Sequence, residues 1–185
     1  MAVDVLQRYR ETGALLEGHF LLKSGLHSPY FLQSAAVFQY PEHARALAGA
    51  LAEKLRPFSP DFVIGPAIGG VVLSFLVAEA LGARAIFAEK DEAGGMFIRP
   101  GLVVRPGERF VAVEDVVTTG GSVKRTVAAA ARRGAELAAV GAIVDRSPEP
   151  PDFGVPFLAL VRFVPETYAP EACPLCRAGV PLERV

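Results

Sequence analysis

Twice along its length the chain runs from a continuous apolar segment through a glycine-containing turn into a helix and then into another apolar segment. The first unit occupies residues 62–88, with its turn at Pro66–Gly70, and the second occupies residues 109–144, with its turn at Glu114–Ser122. Apolar runs without alternation are typical of strands buried on both faces, and interleaved helices are typical of a parallel sheet. The pattern therefore predicts an α/β fold in which helices flank a central, mostly parallel sheet.

The remaining elements follow from apolar spacing and from turn residues. Ahead of the two units we expect a short leading helix, two β-prone runs that form a small antiparallel element, and an amphipathic helix that ends at a proline. In chain order the predicted elements are the helix Val3–Tyr9, the strands Leu15–Leu22 and Tyr30–Val37, the helix from Pro41 to Leu55, the strand Phe62–Gly65, the helix Val71–Leu81, the strands Ala83–Ala88 and Arg109–Val113, the helix Val123–Arg133 and the strand Leu137–Val144.

Charge and hydropathy exclude several classes of protein. Nineteen Lys and Arg residues stand against 20 Asp and Glu residues, which leaves no excess of positive charge to attract nucleic acid or anionic lipid. The longest uncharged stretch, residues 62–78, contains glycine, proline and serine and is too interrupted for a bilayer span. The first residues also lack a basic segment followed by an apolar block. We therefore predict a cytoplasmic protein that binds neither nucleic acid nor membrane.

The most informative segment for chemistry is the junction at residues 109–123. A buried strand delivers the adjacent carboxylates Glu114 and Asp115, and a turn of two threonines and two glycines then opens a helix near Ser122. Free backbone N–H groups and the helix dipole at such a turn bind phosphate, and the hydroxyls add donors. Because the two carboxylates would repel that phosphate, we expect them to face sugar hydroxyls of the same ligand, with Mg²⁺ nearby.

This junction closely resembles the phosphoribosyl pyrophosphate (PRPP) signature of the type I phosphoribosyltransferases, and it matches neither the Walker loop nor the dinucleotide fingerprint. The alternative is that the acids and Thr-Gly merely cap a helix. The resemblance implies that PRPP carries the Mg²⁺ near Glu114 and Asp115, with no direct protein ligand. The implied PRPP-binding residues are Lys23, Ile68, Gly69, Lys90, Glu114, Asp115, Val116, Val117, Thr118, Thr119, Gly120, Gly121 and Ser122.

A second segment indicates the base. Residues 20–31, which contain Lys-Ser-Gly and Ser-Pro-Tyr-Phe, resemble the corresponding segment of the orotate phosphoribosyltransferases. The resemblance extends through Gly65–Gly70, Val144–Arg146 and the Cys173–Cys176 tail, and so covers almost the whole chain. It implies a single domain over residues 1–185, with a hood formed by about residues 1–40 plus the tail 165–185, and a core at 41–164. The implied orotate-binding residues are Lys23, Phe31, Leu32, Thr118 and Arg146.

The resemblance also implies the reaction and its partners. Ribose 5-phosphate passes from PRPP to orotate, and orotidine 5′-monophosphate and pyrophosphate are formed, with Mg²⁺ as cofactor, Asp115 and Lys90 as catalytic residues, and a homodimer as the assembly. The chemistry of orotate agrees, because a planar pyrimidine carboxylate suits an arginine fork such as Arg146 or a lysine such as Lys23. Surface roles remain open for both: Arg146 could pair with Glu149 or Asp145, and Lys23 could be a solvated turn residue.

The sequence departs from the better-known bacterial pattern in two loops. That pattern has a Tyr-Lys pair where this chain has Ile68 and Gly69, and a long cationic loop where this chain has Glu89–Gly95, with a single lysine among three acids. We hypothesise that Lys90 covers the leaving pyrophosphate from a closing lid at Gly94 and Gly95, with Arg99 in support. The rival interpretation is an ordinary hairpin turn.

Several alternatives stay open at this stage. The PRPP loop alone does not exclude a purine or uracil phosphoribosyltransferase, or a PRPP-sensing regulator that binds nucleic acid. We expect His27 to be a surface residue. A structural zinc needs about four ligands, and the only histidines lie in the first quarter of the chain, so we expect Cys173 and Cys176 to form a reduced tail without metal or redox function.

Overall fold

The computed structural model describes residues 3–22 and 24–184. Two sheets organise this part of the chain, one of six strands in the order β5-β4-β3-β6-β7-β8 and one of three strands in the order β2-β1-β9. The strands are β1 (Leu15–Leu21), β2 (His27–Leu32), β3 (Phe62–Pro66), β4 (Arg84–Lys90), β5 (Met96–Phe97), β6 (Arg109–Val117), β7 (Glu136–Asp145), β8 (Phe157–Arg162) and β9 (Glu183–Arg184). In the large sheet every neighbouring pair is parallel except β4 with β5, so the prediction of a mostly parallel sheet is confirmed.

Helices cover both faces of the large sheet, as the continuous apolar strands require. The helices are α1 (Val5–Glu11), α2 (Pro41–Leu55), α3 (Gly69–Leu81), α4 (Gly121–Ala131) and α5 (Pro174–Arg177). Buried residues of α1, α2 and α3 pack on one face, and those of α4 pack on the other. Among the described residues, no helix is both long enough and apolar enough to span a bilayer.

Helix α2 shows how directly local spacing determines an element. Pro41 occupies its first turn, where the missing N–H costs nothing, and Leu47, Leu51 and Leu55 are fully buried on one stripe. The stripe packs against β7, where the absence of a side chain at Gly141 admits the leucines: a Cβ there would lie 2.9 Å from Leu55 Cδ1. The predicted bounds of this helix are confirmed.

The three-stranded sheet is built from both ends of the chain. β1 and β2 form an antiparallel hairpin, and β9 adds parallel to β1. Between β8 and β9, the backbone of Tyr168 exchanges hydrogen bonds with that of His27. The rings of Tyr30 and Phe163, 5.4 Å apart, connect this sheet with the large one. The tail beyond Pro165 therefore packs on the N-terminal hairpin.

The structure corrects the second predicted strand. β2 begins at His27 and ends at Leu32, whereas residues Ser34–Gln39 form a 3₁₀ helix. β2 ends because its partner does: Leu32 pairs with Leu15, the first residue of β1. The buried Ser34 hydroxyl then meets the Tyr9 hydroxyl at 3.1 Å, which holds the chain against α1.

The bounds around two turns are also corrected. β6 continues to Val117, so Glu114 and Asp115 lie in the strand and not in the turn that follows it. Pairing with the long neighbour β7 extends to Val117 opposite Asp145, which keeps the backbone of both residues extended. Helix α3 begins at Gly69, two residues earlier than the spacing predicts.

Candidate active site

The parallel strands β3, β4, β6, β7 and β8 end at the same edge of the large sheet, where ligands of open α/β sheets bind. Pro66 at the end of β3 pairs with Ala88 of β4, and Val117 at the end of β6 pairs with Asp145 of β7. The backbone N–H of Arg146 donates to the Val117 carbonyl at 2.8 Å. The turns that follow these strands therefore lie side by side, as the sequence predicts.

Glu114 and Asp115 face opposite sides of β6. Successive side chains of a strand alternate in direction. Glu114 interacts electrostatically with Arg125 of α4, on one side of the sheet. Asp115 lies by the first residue of α3, on the other side, because a Cβ built on Gly69 would be 3.4 Å from both Asp115 carboxylate oxygens. The two acids thus frame the end of the strand from both faces.

Burial dominates the protonation of both carboxylates. It raises the pKa of Glu114 to about 7, with a further increase from the charge of Asp115 and an opposing decrease from Arg125. Burial also raises the pKa of Asp115, against the hydrogen bond that the Val116 N–H donates to its carboxylate at 2.9 Å. Carboxylates that cost energy to ionise in place are suited to a ligand that brings cations or hydroxyl donors.

The turn between β6 and α4 has the form of a phosphate cradle. No side chain caps the helix, whose N-cap is Gly120 with a φ of 72°, a conformation that favours glycine. A Cβ at Gly120 would also lie 2.8 Å from the ring of Phe153, which covers the turn from outside. Thr118 and Thr119 are exposed, and the Gly121 N–H donates to Thr119 Oγ1 at 3.4 Å, whereas the following N–H groups of the first helical turn have no acceptor within the helix.

The turn between β3 and α3 is closed by two glycines in contact. A Cβ at Gly65 would clash with the carbonyl oxygen of Gly70, and one at Gly70 would lie 2.7 Å from Pro66 Cδ. The peptide bond between Ala67 and Ile68 is cis. The side chain of Ile68 is 89% exposed, so the backbone of this turn faces the site edge without a covering side chain.

Lys90 ends β4 and lines an open cavity of about 510 Å³ together with Ala67 and Ile68. The following residues form a hairpin to β5, in which Gly95 N–H donates to Asp91 Oδ1 at 2.7 Å and the Asp91 N–H donates to the Gly95 carbonyl. The segment therefore has the hairpin form of the rival interpretation.

Arg99, which we expect near the leaving pyrophosphate from the sequence, is paired with Glu89. Its guanidinium donates two hydrogen bonds to the Glu89 carboxylate at 2.8 Å and a third at 3.1 Å. This ion pair holds the strands beside the hairpin. Support of Lys90 by Arg99 in a closing lid would require this exposed pair to separate, and it stays a prediction.

Arg146 lies half-buried beside Thr118. The guanidinium has no hydrogen-bond or carboxylate partner within residues 3–22 and 24–184, and burial lowers its pKa. The alternative pairing with Asp145 is not formed, since Asp145 instead accepts from Arg162 at 3.2 Å and from the Ser147 N–H. A half-buried, unpaired guanidinium at a strand end is suited to an anionic ligand.

Two predicted orotate-binding residues, Phe31 and Leu32, lie on strand β2 of the N-terminal hairpin. Phe31 and Leu32 are neighbours on β2, so their side chains lie on opposite faces. Leu32 packs against the main core, whereas the ring of Phe31 lies 5.9 Å from that of Phe20. Both residues lie on the edge strand of the three-stranded sheet, and their roles in binding orotate stay predictions. Lys23 lies outside the described residues.

Two features of the surroundings do not follow from the sequence patterns. Arg125, whose helical position favours a solvated side chain, lies four positions after Gly121 and approaches it, with Nη1 3.4 Å from a Cβ built there. Residues four positions apart lie on the same face of a helix, so the spacing of Arg125 from Gly121, the first residue of α4, is the sequence signal that could have identified Arg125 as a site residue. His27, which we expect at the surface from the sequence, is buried beside His19, because β1 and the tail enclose it.

Comparison with known proteins agrees with this geometry. A model of the phosphoribosyl transferase domain family matches residues 33–152. An orotate phosphoribosyltransferase of Thermus thermophilus is 64% identical over 183 residues, which cover 99% of this chain and 100% of that protein. The one from Thermotoga petrophila is 48% identical, covering 100% and 96%. A crystal structure of the enzyme from Aeropyrum pernix has the same fold, with a TM-score of 0.73 at 21% identity, covering 86% of this chain and 93% of that one.

Proposed function

The chain belongs to the orotate phosphoribosyltransferase family, and from that premise we propose that it transfers ribose 5-phosphate from PRPP to N1 of orotate. The products are orotidine 5′-monophosphate and pyrophosphate, as in pyrimidine biosynthesis. The observation that supports the assignment is the arrangement at the end of β6. Glu114 and Asp115 precede a helix whose N-cap is a glycine, and the Arg146 guanidinium beside it is half-buried without a hydrogen-bond partner in residues 3–22 and 24–184.

The ligand's parts match the parts of the site. The Thr118–Ser122 turn suits the 5′-phosphate, because it offers free N–H groups and hydroxyls at a helix N-terminus. The Pro66–Gly70 turn suits the pyrophosphate, because its glycines leave the amides unshielded. Glu114 and Asp115 lie between the two turns and accept hydrogen bonds from the ribose hydroxyls.

The reaction breaks the bond between C1′ and the pyrophosphate oxygen and the N1–H bond of orotate, and it forms the bond between C1′ and N1. The proton from N1 leaves to the departing pyrophosphate or to water. Negative charge builds on the departing pyrophosphate while the ribose becomes oxocarbenium-like. Lys90, which shares a cavity with Ala67 and Ile68, donates to the leaving group, and Asp115 stabilises the positive ribose. Arg146 binds the orotate carboxylate and orients N1.

A divalent cation fits this edge of the sheet, and we propose Mg²⁺. The half-buried carboxylates of Glu114 and Asp115 lie at the end of β6, and the burial that raises their pKa values favours a ligand that brings positive charge. When bound with PRPP, Mg²⁺ neutralises the leaving pyrophosphate. Glu114 and Asp115 would hold the metal's water shell and the ribose and not the metal itself.

We also propose that the chain forms a homodimer. Val72 and Phe75 are exposed on α3, Phe75 to 59%, and Ile68, four and seven positions earlier, is exposed at the N-cap of the same helix. Such a stripe beside the pyrophosphate turn is suited to a second copy of the chain. Sedimentation analysis should give a dimer for the wild type and a monomer for Phe75→Glu. The control Val164→Glu, also exposed but away from α3, should stay dimeric.

The experiment that tests the activity is a spectrophotometric assay of orotate consumption with PRPP and Mg²⁺, run beside adenine, hypoxanthine and uracil. We expect loss of orotate alone, abolished by a chelator. Turnover of another base would retain the PRPP site and contradict the orotate assignment. Binding of PRPP without turnover of any base would contradict the enzymatic function altogether.

A further inference from the structure

Four potential metal ligands from the two ends of the chain meet in the three-stranded sheet. They are His19 of β1, His27 of β2, and Cys173 and Cys176 of the tail, and their nearest ligand atoms all lie within 4.8 Å of one another. From this cluster we propose a structural zinc site of the Cys₂His₂ type, separate from the active site and independent of the activity proposed above.

Strand pairing brings the two histidines together. His27 pairs with Leu21 of β1, and His19 lies two residues before Leu21, in the stretch between Glu17 and Phe20 where the register of the hairpin shifts. Their rings meet edge to face with centroids 4.8 Å apart. The tail then closes over them, held by the Tyr168 backbone on one side and by β9 on the other.

Four of the six distances among the ligand atoms lie between 2.9 and 3.7 Å, near those of a tetrahedral zinc site, and none exceeds 4.8 Å. His27 Nδ1 lies 2.9 Å from His19 Nε2 and 3.3 Å from Cys176 Sγ, and His19 Nε2 lies 3.5 Å from Cys173 Sγ and 3.7 Å from Cys176 Sγ. Zinc bonds of about 2.0–2.1 Å to nitrogen and 2.3 Å to sulfur place neighbouring ligands about 3.3–3.8 Å apart. Small movements of the rings would complete the geometry.

The second nitrogen of His19 fixes the tautomer that metal binding needs. Nδ1 lies 2.8 Å from the carbonyl oxygen of Val180, so Nδ1 carries the proton and donates it. Nε2 is then unprotonated, and its lone pair is available to the neighbouring cysteine and histidine atoms or to a metal. Hydrogen bonds of this kind orient metal-binding histidines in proteins.

Hydrogen bonds within the cluster cannot provide a partner for every polar group in it. His27 Nδ1 and both thiols approach the single lone pair of His19 Nε2, which accepts only one good hydrogen bond. His19, His27 and Cys173 are 1%, 4% and 0% exposed, so water reaches the cluster on the side of the exposed Cys176 and does not readily supply partners to the other three. A divalent metal bound by two thiolates and two imidazoles satisfies all four groups at once, and this soft tetrahedral set favours zinc.

The site would act as a cross-link between the chain ends. Cys173 is 154 positions from His19, and the regular elements of the tail up to residue 184 are one short 3₁₀ helix, a four-residue helix and the two-residue strand β9. Metal binding would close this long loop and fix the hairpin that carries Phe31. Because such binding is coupled to folding, the metal should stabilise the hood.

The test is the metal content of protein produced without a histidine tag, measured by mass spectrometry after desalting under reducing conditions. We expect about one zinc per chain in the wild type. Cys176→Ser and His27→Asn should lose the metal. His43→Asn, which changes the one histidine outside the cluster, should keep it. Circular dichroism of each variant separates loss of a ligand from loss of the fold.

Cobalt provides a second readout on the unmodified chain. Metal-free, reduced wild-type protein titrated with Co²⁺ should develop the visible bands of tetrahedral Co²⁺ and a thiolate charge-transfer band, and one equivalent of Zn²⁺ should remove both. Folded wild-type protein that contains no zinc and takes up neither Zn²⁺ nor Co²⁺ would overturn the proposal. Uptake that is unchanged in Cys176→Ser would overturn it as well.

Discussion

Asp115 lies against Gly69, so close that a Cβ on the glycine would stand 3.4 Å from both carboxylate oxygens. The contact joins the strand that carries the acids to the turn proposed to hold pyrophosphate. A methyl group added at position 69 therefore lies between Asp115 and the proposed pyrophosphate turn, and its effect on PRPP binding tests whether both contact the same ligand.

The first prediction is that Gly69→Ala folds but binds PRPP less tightly. The methyl group makes an ordinary contact with Asp115 and occupies space that the ribose and pyrophosphate need. We expect a melting temperature close to that of the wild type and a KM for PRPP raised by about tenfold, roughly 1.4 kcal/mol. Steady-state kinetics and a thermal melt measure both quantities, and an unchanged KM for PRPP would contradict the placement of pyrophosphate.

Gly65→Ala should instead impair folding. Its Cβ would clash with the Gly70 carbonyl oxygen, a backbone atom that cannot move aside without opening the turn. We expect a loss of roughly 1–3 kcal/mol in the free energy of unfolding, as for overpacked cores. The control is Gly49→Ala in α2, where nothing lies within 4 Å and the change should stabilise by about 0.5–1 kcal/mol. Equal melting temperatures for the two variants would contradict the close contact.

The raised pKa of Glu114 predicts a pH dependence of stability. Because the folded-state pKa of about 7 lies above the ordinary value of 4.5, the folded protein binds more protons than the unfolded chain between these values. The contribution is full below pH 4.5 and is lost as pH rises through 7, by at most about 3 kcal/mol. Denaturant titrations of the ligand-free protein should show this slope.

Glu114→Gln should remove that part of the slope, whereas Glu79→Gln, at an exposed position of α3, should retain it. Binding of PRPP with Mg²⁺ favours the ionised carboxylate, so calorimetry at a pH just below the raised pKa should detect fewer protons released by the Glu114→Gln variant than by the wild type. Identical pH profiles for Glu114→Gln and wild type would assign the slope to other groups.

Arg146→Gln should weaken orotate binding specifically. A charge-assisted hydrogen bond contributes about 1.5–3 kcal/mol, so the KM for orotate should rise roughly 10–100-fold while that for PRPP changes little. Arg45→Gln, at an exposed position of α2, serves as the control for loss of a positive charge. Equal increases in both KM values would indicate a damaged site and not a lost contact to orotate.

Lys90→Met should lower kcat by about 10²–10³, the range for loss of one donor to a developing oxyanion. The substitution keeps the side-chain length and leaves the hairpin contacts of Asp91 with Gly95 in place. Glu92→Gln in the same hairpin should have wild-type turnover. Unchanged turnover in Lys90→Met would remove Lys90 from the mechanism.

Removal of the proposed zinc should destabilise the protein without abolishing its core. For a chain of this length, a loss of about 3–5 kcal/mol lowers the melting temperature by roughly 10–15 °C. The double variant Cys173→Ser, Cys176→Ser should show the same decrease and be insensitive to a chelator. A wild-type melting temperature that does not respond to a strong chelator at equilibrium would speak against a structural metal.

Elements whose signals lie within a few neighbouring residues are predictable from the order of amino acids. The leucine stripe of α2, the glycine turn after β3 and the run from Glu114 to Ser122 are local patterns, and the predicted α/β class follows from their order. Because ligands bind at the carboxyl ends of parallel strands, the turns that follow these strands could be identified as candidate site residues from the sequence alone.

Relationships between distant segments emerge only in the folded chain. That Glu114 and Asp115 face opposite sides of an extended strand depends on pairing with β7, and the end of β2 depends on where β1 begins. His19 and Cys173 are 154 positions apart, so no local pattern in the sequence joins them. The sequence-based expectation of a metal-free tail was therefore made without knowing that His19 and His27 lie beside the two cysteines. Strand pairing and tail docking are non-local, and their free energy is gained only when the whole chain has folded.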